Sequence, residues 1–174
     1  MVRIISGYYK GRILKTNRNP ALRPTQDRVK ETMFAVLGKI EDYQVADLFA
    51  GSGNLGLEAL SRGAQHCIMV EKDLRQVALI RANVKALDVE EMVAIKRTNV
   101  LRFLSSAPEL DLILADPPYN YHYFEQLFQA LQKLPGGIRI ALEASRDLEL
   151  PDILKHRMMA QKKIGETVLY FWES

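Results

Sequence analysis

From residue 44 onward the chain repeats one pattern: a short apolar run, then a longer stretch in which apolar positions recur three and four apart. Short continuous apolar runs bounded by polar turns are strands buried on both faces, and the longer stretches are amphipathic helices. Their alternation predicts βαβ units around a parallel sheet. Strands are expected at residues 45–50, 67–71, 93–97, 110–115 and 138–143, with helices between them. Asp73 is placed to cap the second of these helices, with Leu74, Val77, Ala78 and Leu87 on its inner face. The end of the chain departs from the pattern. Residues 157–164 and 167–172 flank Gly165-Glu166 and read as two strands of an antiparallel hairpin. The fold class is therefore α/β, with a seven-stranded, mostly parallel sheet closed by that C-terminal hairpin.

Ahead of this body, residues 3–15 alternate weakly and contain Gly7 and Gly11, which suits a small β-hairpin outside the main sheet. Residues 20–24 read as loop, and Thr25 or Asp27 can cap a helix whose apolar positions Val29, Met33, Val36 and Leu37 run to Gly38. The expected division is an N-terminal hairpin arm over residues 1–24 and a main domain over residues 25–174.

A length of 174 residues with 48% hydrophobic content suffices for one domain with its own core. The single cysteine, Cys67, lies inside an apolar run, so a buried thiol and a reducing compartment are expected. No apolar stretch approaches the roughly 18 residues of a membrane span, and residues 1–5 lack a signal-peptide layout, so a cytoplasmic location is expected. Net charge is only +3, but residues 1–39 carry nine basic groups against two acidic ones. No acid precedes Asp27, and Tyr8 and Tyr9 lie among the cations. That segment reads as a contact for a polyanion, with Arg3, Lys10, Arg12, Arg23, Arg28 and Lys30 as its candidate groups. The alternative is a solvated basic hairpin with no partner.

Gly51-Ser52-Gly53-Asn54-Leu55-Gly56 places a G-x-G-x-x-G between the first predicted strand and its helix. Glycines there permit a tight turn and bring a ligand close to backbone N–H groups, while the third lets helix and strand pack closely. Glu71 ends the next strand 20 residues after Gly51, where a carboxylate can accept both ribose hydroxyls of an adenosine. Such a pair serves either a dinucleotide or S-adenosylmethionine. Asp47, just before the glycines, would crowd a pyrophosphate but suits an ammonium group. Phe49, Ala50, Ser52 and Leu55 in the loop, Lys72 after Glu71, and Asn99 with Val100 after the third strand complete the candidate cofactor shell. Asn99 stands where an acid would receive the adenine amino group more strongly than an amide does.

Asp116-Pro117-Pro118-Tyr119 follows the fourth strand, at the end of a sheet strand where ligands bind. An exocyclic amine is a poor nucleophile until acceptors take both of its hydrogens. The Asp116 carboxylate and the Pro117 carbonyl, on a stiff Pro117-Pro118 backbone, can be those acceptors, and Tyr119 can stack on the flat ring. Such acceptors would serve methyl transfer and not hydride transfer, which favours S-adenosylmethionine. A plain strand-ending turn is the alternative. His66, His122 and His156 are scattered, so no metal site is expected, and His122 reads as a surface residue at a helix start. Ser52 lacks the G-x-S-x-G spacing of a nucleophile elbow, and no Gly-Lys-Ser/Thr makes a P-loop.

With these motifs placed, the chain resembles the class I, Rossmann-like S-adenosylmethionine methyltransferases, and within them the RsmD family of bacterial 16S ribosomal RNA guanine-N2 methyltransferases. The likeness is carried by Arg3-Ile4-Ile5-Ser6-Gly7 with Lys10-Gly11-Arg12, and by Arg23-Pro24-Thr25 with Asp27-Arg28-Val29-Lys30-Glu31. It continues in Asp47-Leu48-Phe49-Ala50-Gly51-Ser52-Gly53 with Leu55-Gly56-Leu57-Glu58-Ala59, and in Asp116-Pro117-Pro118-Tyr119. The resemblance implies methylation of the exocyclic amine of a guanine in 16S rRNA, with S-adenosylmethionine as cofactor and the small ribosomal subunit or its assembly intermediate as partner. A monomer is expected. Two rivals remain at this point: an N6-adenine methyltransferase acting on DNA or RNA, and a catalytically silent RNA-binding assembly factor.

Overall fold

The structure is a computed structural model that describes residues 2–17, 23–106, 109–118 and 120–174, with the side chains of residues 23–25 outside the description. The main sheet comprises β3 (Gln44–Leu48), β4 (His66–Val70), β5 (Val93–Lys96), β6 (Leu112–Ala115), β7 (Arg139–Ser145), β8 (Met158–Ile164) and β9 (Thr167–Glu173). Its spatial order is β5-β4-β3-β6-β7-β9-β8, parallel throughout except for β9, which runs against both neighbours. The predicted seven-stranded sheet with its C-terminal hairpin is present. From β3 the chain works outward through β4 and β5, then returns to β6 on the other side. The loops leaving β3 and β6 therefore diverge, and a crevice opens between them.

Among the described residues, six α-helices cover the two faces: α1 (Arg23–Leu37), α2 (Asn54–Ser61), α3 (Leu74–Leu87), α4 (Val100–Leu104), α5 (Phe124–Gln132) and α6 (Asp152–Arg157). Successive residues of a strand point to opposite faces, so the central strands feed two cores at once. Leu112 and Leu114 join one core with Met33, Leu57 and Ile80, whereas Ile113 and Ala115 join the other with Phe103, Leu127 and Leu131. This double burial explains the continuous apolar runs. No helix among the described residues is long and apolar enough to cross a membrane.

Two helical details differ from expectation. In α3 the Asp73 side chain accepts hydrogen bonds from the Arg75 and Gln76 N–H groups, as a cap should, but Leu74 is 62% exposed and Ala78 is exposed as well. The stripe Val77, Ile80, Val84 and Leu87 takes the core, leaving Ala78 turned roughly 100° away from Val77. Helix α1 begins at Arg23, earlier than expected. Pro24 occupies a first-turn position that needs no N–H, so Thr25 and Asp27 lie inside the helix and do not cap it. Asp27 pairs with Arg3 at 3.5 Å.

The arm is shorter in strand than expected, β1 (Val2–Arg3) against β2 (Ile13–Leu14), in a sheet of its own. Val2, Ile4 and Leu14 are buried in the same core as α1, α2 and α3. Backbone groups tie the connection down: the N–H groups of Ile5 and Ser6 donate to the Glu58 carboxylate at 2.8 and 3.1 Å, and those of Tyr8 and Tyr9 donate to the Ser61 carbonyl and hydroxyl. The approach is so close at Gly7 that a Cβ there would lie 1.7 Å from the Ser61 carbonyl oxygen.

Candidate active site

Strand β3 ends in a bend that reverses the chain into α2. Phe49, Gly51 and Gly53 have φ of 62°, 57° and 84°, and the left-handed conformation at Phe49 is one that a side chain rarely adopts. Its ring is held edge-on against Tyr121, with centroids 4.9 Å apart. Asp47 is buried, and its Oδ2 accepts the Gly56 N–H at 2.8 Å, which pins the start of α2 to β3. A Cβ on Gly56 would come within 2.7 Å of Cys67 Sγ and 2.8 Å of Met69 Cε, so the third glycine serves close helix-to-strand packing as expected. Cys67 is a buried thiol, and burial raises its pKa well above the ordinary value.

Glu71 closes the other side of the bend. Its Oε2 accepts the Gly51 N–H at 2.9 Å and its Oε1 the Asp73 N–H at 2.8 Å. The carboxylate is thereby fixed in direction, and each oxygen keeps a further lone pair for a hydroxyl. A cavity of about 240 Å³ runs from the bend past Glu71 and Lys72 to Asn99 and Val100, then to Asp116 and Tyr121. Thr16 of the arm, Gln76 and Thr98 line it too, and the sequence did not single them out. Asn99 caps α4, its Oδ1 accepting the Leu101 N–H at 2.7 Å, so only the second lone pair of that oxygen or the Nδ2 group can meet an adenine.

Two further clefts meet this cavity at Asp116. A narrow one of about 30 Å³ is lined by Asp47, Ala50, Leu55, Asp116 and Glu143 together with Lys30 and Asn54. An open one of about 280 Å³ lies between Asp116, Pro117, Pro118, Phe124, Glu143 and Leu148. Asp116 thus borders all three spaces. Tyr119, the expected stacking residue, lies outside the described residues. Tyr121 is a clear aromatic wall: its N–H closes a turn onto the Pro118 carbonyl at 2.8 Å, and its ring packs against Phe49 and Phe124. Burial, and then the neighbouring Tyr123, raise its pKa, which keeps it a neutral phenol. The sequence signal was the aromatic spacing Tyr119, Tyr121, Tyr123, Phe124 after the prolines. His122 is an exposed residue just before α5. Among the described residues no cluster of three or more His, Cys, Asp and Glu side chains could hold a metal ion.

The candidate basic contacts separate into two kinds. Arg3, Lys10, Arg12 and Arg28 are exposed, Arg12 also donating to the Ala86 carbonyl at 2.8 Å, while the Arg23 side chain lies outside the description. Lys30 is the correction. It is 2% exposed, with its Nζ donating to the Arg3 carbonyl and to Asn54 Oδ1, both at 2.7 Å, and paired with Glu58 Oε2 at 3.1 Å. It faces α2 and not solvent, so it cannot reach an RNA phosphate. Burial lowers its pKa despite the opposing pull of Glu58.

With this geometry in place, similarity to known proteins is informative. The sequence pattern of the family described as conserved hypothetical protein 95 matches residues 2–173. Ribosomal RNA small subunit methyltransferase D of Haemophilus influenzae is 37% identical over 172 residues, covering 94% of this chain and 89% of that protein. The protein of the same name from Escherichia coli K12 is 33% identical over 174 residues, covering 97% and 87%. Among solved structures, Escherichia coli yhhF, described there as a methyltransferase candidate, superposes with a TM-score of 0.83 at 30% identity, covering 99% of this chain and 97% of that one.

Proposed function

The chain belongs to the conserved hypothetical protein 95 family, and from that membership we infer that it is an S-adenosylmethionine-dependent ribosomal RNA methyltransferase that modifies the exocyclic N2 amine of a guanine in 16S rRNA. The observation that carries the reading is the position of Asp116 where the three clefts meet. One cleft has the glycine bend and Glu71 for an adenosine, and another is open and flanked by Pro117 and Phe124 for a nucleobase. Their shared wall is the acceptor the chemistry requires.

When bound, S-adenosylmethionine would supply a methyl group whose carbon a nitrogen lone pair can attack, the C–S bond breaking and the sulfonium leaving as a neutral thioether. The protein's share is placement. Glu71 holds the ribose hydroxyls, and the bend admits the backbone approach. A guanine turned out of the RNA enters the open cleft, where Asp116 accepts one N2 hydrogen and the Pro117 carbonyl the other. As positive charge develops on N2, the Asp116 carboxylate stabilises it, and the surplus proton leaves to water. Substitution Asp116→Ala should lower turnover at saturating donor by about 100-fold or more, as removal of other preorganised polar groups does. A variant at full rate would end this assignment.

The base is tested by its product. Nucleosides released from 16S rRNA after incubation should contain N2-methylguanosine; N6-methyladenosine would transfer the reading to an adenine amine. Arg3, Lys10, Arg12, Arg23 and Arg28 are assigned to RNA phosphates, and the protein is taken to act as a metal-free cytoplasmic monomer on the small subunit or its assembly intermediate. Light scattering with and without substrate would test the single-chain mass.

A further inference from the structure

The narrow cleft beside Asp116 contains an arrangement that the transfer chemistry does not use. The Lys30 ammonium has three hydrogens and three acceptors, namely the Arg3 carbonyl, Asn54 Oδ1 and Glu58 Oε2. It has no hydrogen left for a ligand. It does, however, dictate how Asn54 is turned. A group that only donates must face the amide oxygen, so the Asn54 NH2 group points away from Lys30, and no described residue takes its hydrogens. Lys30 and Asn54 line the cleft together with the carboxylates of Asp47, Asp116 and Glu143.

A space of about 30 Å³ admits a small polar terminus and excludes a ring. Walls that offer carboxylates and, separately, an amide donor beside a buried cation match an α-amino acid in its zwitterionic form. Its ammonium goes to the carboxylates and its carboxylate to Asn54. We propose that Lys30 is a positioning residue that aims the Asn54 amide at the carboxylate of the donor's amino-acid end, and so makes docking of the N-terminal arm a condition of tight donor binding. The proposal rests on the S-adenosylmethionine reading above. The link to the arm runs through direct non-covalent contacts: Val2 lines the same cleft, the Arg3 carbonyl is one of the three acceptors of Lys30, and Glu58 holds the Ile5 and Ser6 N–H groups as well as Lys30.

The test compares two ligands by calorimetric titration: S-adenosylmethionine, and 5′-methylthioadenosine, which lacks the amino-acid end. Asn54→Asp keeps an acceptor for Lys30 but removes the donor and adds a repelling charge. It should weaken S-adenosylmethionine about tenfold or more, the worth of one hydrogen bond to a charged group, and leave methylthioadenosine unchanged. Lys30→Met should show the same selectivity and faster amide hydrogen exchange at Ile5 and Ser6. Should that variant fail to fold, Asn54→Asp decides the binding half, and exchange in the natural protein decides the arm half: S-adenosylmethionine should slow Ile5 and Ser6 more than methylthioadenosine does. Equal loss of both ligands, no loss at all, or equal protection by both would overturn the proposal while leaving the donor assignment standing. A natural protein that binds neither ligand would remove the donor assignment itself.

Discussion

Gly56 and Glu71 show how single residues shape the glycine bend and the cavity beside it. A methyl at Gly56 would press on Cys67 Sγ and Met69 Cε; the Met69 tip can swing, but Cys67 is a short, fully buried side chain on β4 with little room to retreat. Gly56→Ala should therefore cost about 1–3 kcal/mol of stability, the range for overpacking a filled core, and lower the urea midpoint accordingly. Glu71 acts on the ligand instead. Its two oxygens fix Gly51 and Asp73, and the proposed function assigns their remaining lone pairs to the ribose hydroxyls. Glu71→Ala should abolish binding of S-adenosylmethionine and methylthioadenosine alike, in contrast to the selective loss expected at Asn54, and the two titrations distinguish the ends of the pocket. Lys30 adds a pH signature. Its folded pKa lies below the ordinary 10.5, so between those two values the unfolded chain binds more protons than the folded one. The contribution of Lys30 to stability must then rise with pH across that interval. The stability difference between the natural protein and Lys30→Met, from urea unfolding as pH rises toward 10.5, should grow in favour of the natural protein; a flat difference would mean that burial leaves the ammonium unperturbed.

Among the elements, the arm is the one whose behaviour the sequence conceals. Its strands are two residues each, too short to stand alone, and what holds it is burial of Val2, Ile4 and Leu14 in the main core together with contact with α2 through Gly7, Ser61 and Glu58. Gly7→Ala would force the arm off Ser61, since the blocking atom is backbone and cannot swing aside. The expected result is rapid protease cleavage within the first 22 residues while the main domain stays intact, read by mass spectrometry. The central strands, the glycine bend and Asp116 were legible because each is written in contiguous residues: an apolar run, a glycine spacing, a strand end followed by prolines. Lys30 was not, because its partner Glu58 lies on another helix and a count of charges treats a buried cation like an exposed one. The inner face of α3 was misjudged at Leu74 and Ala78 because both neighbour the true stripe, and only the packed sheet selects which row faces inward. Tyr121 escaped for a related reason, since its place depends on a turn that brings its N–H to the Pro118 carbonyl.

At the scale of the molecule, charge and cleft are arranged for a large anionic substrate. The first 39 residues carry a surplus of seven positive charges while the whole chain carries only +3, so the remainder is acidic by four. RNA should therefore approach on one side. With Lys30 withdrawn into the interior, the exposed groups available for phosphates include Arg3, Lys10, Arg12 and Arg28. Arg12 is already committed in part to the Ala86 carbonyl, and Arg3 to Asp27, so Lys10 and Arg28 offer the cleaner test. Each phosphate contact releases counterions on binding, which gives a log–log salt slope of about 0.7 per contact on single strands and about 0.9 on duplex. Replacing both Lys10 and Arg28 by Glu should weaken RNA binding across sequences and make the slope shallower by roughly 1.4 to 1.8. Donor affinity should be unaffected, because neither side chain lines the donor cavity or the narrow cleft. If the slope stays as steep as in the natural protein, the arm and α1 do not lie on the RNA, and the substrate must reach Asp116 across another surface.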